Sequence, residues 1–81
     1  MNDFEHSLRL AQIRTESYIA EAKLDILRLQ RGLKLDKNPS TLLVKKVQIK
    51  IKTLELKIED WELDLEEITE KISKVNPQQI Y

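Results

Sequence analysis

From Val44 onward, apolar residues recur at alternating steps of three and four: Val44, Val47, Ile51, Leu54, Ile58, Trp61, Leu65, Ile68, Ile72 and Val75. That spacing holds them on one side of an α-helix, with Val44, Ile51, Ile58, Leu65 and Ile72 at the a positions of a heptad repeat. A second series, Leu42, Ile49, Leu56 and Leu63, repeats every seven residues at the f position. Those residues lie opposite the seam. Since one partner helix covers one side only, the pattern predicts a helix with two partners.

The first half of the chain is two-sided too, but less regular. One stripe runs through Phe4, Leu8, Ala11, Thr15, Tyr18 and Ala22 and continues, after a shift in register, through Ile26, Leu29 and Leu33. The shift predicts a local change in supercoil. Another stripe is Leu10, Ile13, Ser17, Ala20, Leu24 and Leu27. The small residues Ala11, Thr15, Ala20 and Ala22 allow a neighbouring helix to approach closely.

Stop and start signals divide the chain in two. Asn2 and Glu5 have the spacing of a capping box, which starts a helix near residue 3. Gly32, the only glycine, suits the left-handed conformation that often ends a helix. Residues 33–38 then form a turn, Pro39 fits a first helical turn, and Asn38 or Ser40 serves as N-cap. Asn76-Pro77 ends the second helix. The expected fold is therefore all-α: an antiparallel helical hairpin with coiled-coil packing, a single domain over 1–81. Its helices span about 3–32 and about 39–75, on the order of 45 to 55 Å each, and a flexible tail occupies 76–81.

Leaving Leu42, Ile49, Leu56 and Leu63 in water forgoes about 1.5 to 3 kcal/mol for each side chain that could be buried. The sum rivals the whole stability of a small domain. The hairpin is therefore expected to assemble as a homodimer or larger, a four-helix bundle being the simplest form, with helix 2 between its own helix 1 and a neighbouring chain.

Composition narrows the chemistry. Charged residues make up 35% of the 81, with one Gly and two Pro, which agrees with long helices. There is no Cys and one His, His6, so disulfides, thiolate metal sites and a Cys–His pair are unavailable. Two long helices also offer little concavity for raising a carboxyl pKa. The expectation is a protein that is not an enzyme, with no cofactor and no bound metal. Fourteen basic residues balance fourteen acidic ones, so total charge does not point to nucleic acid or a membrane. Met-Asn-Asp-Phe-Glu-His lacks signal-peptide features, and no apolar run reaches spanning length, so a soluble cytoplasmic protein is expected.

The charges are unevenly placed. Seven lysines lie between Lys34 and Lys57, followed by Glu59, Asp60, Glu62, Asp64, Glu66, Glu67 and Glu70. An antiparallel pair of second helices centred near Ile58 sets each basic half along an acidic half. A parallel pair relies on Lys50 with Glu55 and Lys57 with Glu62, and stacks acid on acid, so the antiparallel form is preferred. At the turn, Arg28, Arg31, Lys34 and Lys37 approach Lys45, Lys46 and Lys50. That basic end is a candidate site for an anion, nucleotide or nucleic-acid backbone, although it has neither a stacking aromatic nor a glycine-rich loop. The more economical reading is a solvated end that keeps hairpins apart. Glu59, Glu62, Glu66 and Glu70 share a helical side but lack the Glu-x-x-His that accompanies di-metal bundle sites, so a solvated or partner-facing acidic face is expected.

Trp61 at a d position reads first as core and second as an interface anchor. Phe4 and Tyr18 read as core or interface residues. The leading functional expectation is a non-catalytic oligomer that works by protein–protein interaction, as an adaptor or as a small inhibitor of the kind phages encode. Its self-association or partner surface is drawn from Leu42, Val44, Val47, Ile49, Ile51, Leu54, Leu56, Ile58, Trp61, Leu63, Leu65 and Ile68. The alternative is anion or nucleic-acid binding at the basic hairpin end, and a third is a purely structural spacer.

Overall fold

The computed structural model describes residues 3–75. It is an all-helical hairpin of two elements, α1 (Asp3–Leu35) and α2 (Thr41–Val75), packed against each other. Its extents are 58 × 22 × 17 Å. The long axis is that of the helices, since a 33-residue helix rises about 50 Å. The radius of gyration, 18.1 Å, compares with about 12 Å for a compact domain of this length. The molecule is a rod two helices thick.

The turn is built from local hydrogen bonds. Asn38 N–H donates to Asp36 Oδ1 at 3.1 Å, an Asx turn that reverses the chain. Ser40 is the N-cap of α2: Leu43 N–H donates to Ser40 Oγ at 3.1 Å, and Val44 N–H to the Ser40 carbonyl at 3.0 Å. Of the two cap candidates the structure uses Ser40. Asn38 supplies a backbone donor to the turn instead. The capping role of Asn2, the stop at Asn76-Pro77 and the tail lie outside the described residues.

Gly32 does not end α1. The helix runs three residues further, to Leu35, and no glycine has positive φ. The backbone bond from Asp36 N–H to the Gly32 carbonyl, 3.2 Å, carries the helical ladder across the position where the sequence suggested a break. An added Cβ at Gly32 meets nothing within 4 Å. Gly32→Ala should therefore stabilise the hairpin by about 1 kcal/mol, through helix propensity and lost unfolded-state freedom. A urea melt followed by circular dichroism reads this directly; a loss of stability would place Gly32 in a left-handed cap after all.

The seam of α2 faces α1. Every residue of the three-and-four series from Val44 to Val75 is buried or half-buried. On α1 the inward positions are Glu5, Leu8, Gln12, Thr15, Ile19, Ala22, Ile26, Leu29 and Leu33. They follow the same spacing from end to end, so the burial pattern contains no register shift. Phe4 and Tyr18, expected on this stripe, are 59% and 46% exposed, and Ala11 is half-buried at the shoulder. Their places are taken by Glu5, Gln12 and Ile19.

The core is small. Ile19, Ala22 and Ile58 are its buried residues, with Ile26, Leu54, Trp61 and Leu65 packed around them. Ala22 leaves room at the centre, and the Tyr18 ring covers Trp61 with centroids 5.5 Å apart and planes tilted by 37°, a favourable aromatic geometry. Two polar residues are also buried, each with a partner. Glu5 accepts from Arg9 at 3.1 Å, and the Thr15 hydroxyl donates to the Ala11 carbonyl at 2.8 Å.

Candidate interaction faces

With the seam closed between the two helices, the outward sides decide what the molecule can do. The expected interface residues of α2 separate into two sets. Val44, Val47, Ile51, Leu54, Ile58, Trp61, Leu65 and Ile68 lie on the intrachain seam. Leu42, Ile49, Leu56 and Leu63 stand on the far side, 63%, 67%, 58% and 64% exposed. Each of the four keeps most of its surface in water although its neighbours in sequence build the seam.

This outer ladder is flanked by charges of opposite sign at its two ends. A helical residue's surface neighbours are those three and four positions away. Leu42 and Ile49 therefore sit beside Lys45, Lys46 and Lys52, Leu56 lies between Lys52 and the pair Glu59 and Asp60, and Leu63 sits beside Glu59, Asp60, Glu66 and Glu67. Because Ile58 and its seam are covered by α1, a contact between two copies of α2 has to use the ladder. The centre of the ladder falls between Lys52 and Thr53, not at Ile58. The parallel contacts of Lys50 with Glu55 and Lys57 with Glu62 flank the closed seam, which removes their basis.

On the opposite side of the rod, α1 carries the stripe Leu10, Ile13, Ser17, Ala20, Leu24 and Leu27. All six are exposed, with Ile13 and Leu27 at 60% and 61%. The hairpin thus presents apolar faces in two opposite directions. Its total accessible surface, 6789 Å², is about a third larger than the ~5100 Å² typical of a monomeric globular protein of this mass.

The basic residues at the turn end do not all converge on one pocket; Arg28 and Lys50 share a groove and the others lie elsewhere. Arg31 and Lys34 lie on the outer side of α1 and Lys45 and Lys46 on the outer side of α2, facing away from each other, while Lys37 is in the turn. Arg28 pairs with Asp25 at 3.6 Å. It shares with Asp25, Lys50, Ile49 and Thr53 an open groove of about 420 Å³ along one side of the helix pair. The groove is a surface channel with a carboxylate at its rim, which disfavours a small anion.

The acidic half of α2 forms a shallow groove through Glu62, Glu66, Glu70, Thr69 and Ser73. Among the described residues no group of three or more His, Cys, Asp or Glu is placed to share a metal ion. His6 is exposed. Lys71 pairs with Glu67 at 3.3 Å and Lys74 with Glu70 at 3.5 Å, surface pairs worth a few tenths of a kcal/mol each. Among the described residues no helix is long and apolar enough to cross a membrane.

Comparison with protein-family models, with curated proteins and with solved structures yields no match to this chain. The outward faces therefore carry the functional reading by themselves.

Proposed function

We propose that this protein is a non-catalytic, self-associating helical hairpin that acts through protein–protein interaction, as an adaptor or a small inhibitor. The observation that supports this most is the ladder Leu42, Ile49, Leu56 and Leu63, exposed along the side of α2 that faces away from α1. The ladder spans about 31 Å, and with the stems of its lysines it makes an apolar strip on the order of a few hundred Å², near the upper end for a monomer's surface.

In an antiparallel pair of α2 helices, Leu42 meets the copy's Leu63 and Ile49 its Leu56. Lys45 then lies beside the copy's Glu59 on one edge, and Lys46 beside its Asp60 on the other, while Lys52 comes beside its own copy near the axis. The apolar and charged rows match in one register, which gives the pairing direction as well as attraction. The second apolar face, on α1, points the other way. Covering both produces a layered assembly larger than a dimer, because contacts on opposite sides of a rod extend it sideways.

Zero-length coupling of lysines to carboxylates tests the α2 contact. Lys45 and Glu59 are about 21 Å apart along one helix, so a direct bond between them can form only between chains. Crosslinks of Lys45 to Glu59 and of Lys46 to Asp60 are expected. Finding only local products such as Lys71 with Glu67 would contradict the pairing.

A further inference from the structure

The outer stripe of α1 reads the same in both directions. In order it is Leu10, Ile13, Ser17, Ala20, Leu24 and Leu27: two large residues, two small, two large. We infer that this face binds the same face of a second copy, antiparallel, about a two-fold axis at the level of Tyr18 and Ile19. The inference rests on the self-associating reading above and names a contact surface separate from the α2 ladder.

Three observations carry it. First, the stripe is accessible: Leu10, Ile13, Leu24 and Leu27 are 40%, 60%, 45% and 61% exposed, and Ser17 and Ala20 are exposed. Second, its spacing alternates three and four over six positions, the seam a helix presents to one partner helix. The α2 ladder, with one apolar residue per seven, is a poorer match for it. Two-fold pairing sets Leu10 on the copy's Leu27 and Ile13 on its Leu24. Ser17 and Ala20 then meet at the axis, where small side chains let the backbones approach, while the large ones fill the ends.

Third, the flanking charges are complementary only in this arrangement. On one edge of the stripe Glu16 comes beside the copy's Lys23, and on the other Arg14 comes beside its Glu21. By symmetry each pair occurs twice, so four ion pairs border the contact. A parallel pair would instead set Arg9 beside the copy's Arg14, Glu16 beside its Glu21 and Lys23 beside its Arg28, each a like-charged contact. An isologous contact requires a patch that is its own complement, and this patch is. A different partner protein would place no such demand on the sequence of α1.

The chain has no cysteine, so single introduced thiols report the pairing without background. Two variants, Leu10→Cys and Leu27→Cys, are purified separately, mixed and oxidised. The mixture should yield the crosslinked heterodimer. Neither variant alone should crosslink efficiently, because two copies of position 10, or two of position 27, lie about 25 Å apart in the antiparallel pair. Efficient crosslinking of Leu10→Cys with itself would overturn the inference in favour of a parallel pair.

No crosslink in the mixture, with the unmodified protein still oligomeric by mass, would overturn the α1 contact and leave self-association standing. A monomeric unmodified protein would overturn both. An independent arm uses charge. Glu16→Lys should weaken the dimer about tenfold by converting two attractive pairs to repulsive ones, and adding Lys23→Glu should restore it to within about threefold. An unchanged dimer in Glu16→Lys would overturn the register.

Discussion

Ile58→Ala should remove most of the hairpin's stability, while Leu56→Ala, two residues away, should leave the folding of the isolated hairpin nearly unchanged. Ile58 is 8% exposed and sits against Ile19 and Ala22 at the centre of the core. Truncating a buried Ile to Ala typically costs about 2 to 5 kcal/mol, through lost transfer energy and an unfilled cavity. A rod two helices thick collapses more easily around a void than a globular interior does, so the lower half of that range is expected. Even so, a single core in a chain this short rarely supplies more than about 3 to 5 kcal/mol. Leu56 is 58% exposed on the opposite side, so its loss acts on assembly and not on the hairpin core. Chemical denaturation of both variants at low protein concentration separates the two effects; equal losses would mean that the faces of α2 are misassigned.

The second large effect falls on assembly. Replacing Ile49 and Leu56 together, as Ile49→Lys with Leu56→Lys, should leave helicity intact, because both side chains are exposed and Lys is a good helix former. In the antiparallel α2 pair Ile49 meets the copy's Leu56, so the double substitution sets four lysines together where four aliphatic side chains met. Species larger than the α1-paired dimer should disappear from light scattering at micromolar concentration. Added salt should recover little of the loss, since burial of apolar surface is what has been removed, whereas the unmodified protein's flanking ion pairs weaken as salt rises. Retention of the larger species by this variant would remove the ladder from the interface.

Much of this arrangement was legible in the sequence, and the misreadings have identifiable causes. The α2 seam was plain because ten apolar residues in succession obey one spacing, and the ladder behind it because its period of seven cannot belong to that seam. The α1 seam was misread at its start. Phe4, Ala11 and Tyr18 are more apolar than Glu5, Gln12 and Ile19 taken together, so a hydrophobic count favours the wrong line and then needs a shift to reach Ile26. Tracing back from Leu33 through Leu29, Ile26 and Ala22 in the same steps arrives at Ile19 and Thr15 without any shift. The buried polar residues of that line are tolerated because Glu5 is held by Arg9 and the Thr15 hydroxyl donates to the Ala11 carbonyl.

Gly32 misled for a related reason. A lone glycine between two helical patterns is a strong stop signal, but Asp36 and Ser40 already reverse the chain through their side-chain oxygens, so the turn needs no left-handed residue. The outward faces were visible as stripes from the start. Their placement on opposite sides of one rod required the fold, because only the packed seam fixes which way the other residues point. The basic turn end shows the converse: the fold brings Arg28 and Lys50 to one groove but leaves Arg31 and Lys34 on the outer side of α1 and Lys45 and Lys46 on that of α2.

Self-association is tested most directly by the molar mass of the purified protein in solution, followed by light scattering through a dilution series. The chain mass is 9.6 kDa. At least twice that value is expected at micromolar concentration, with larger species as concentration rises. A soluble protein that remains at the mass of one chain throughout would contradict self-association, and would mean that both apolar faces are built for a different protein.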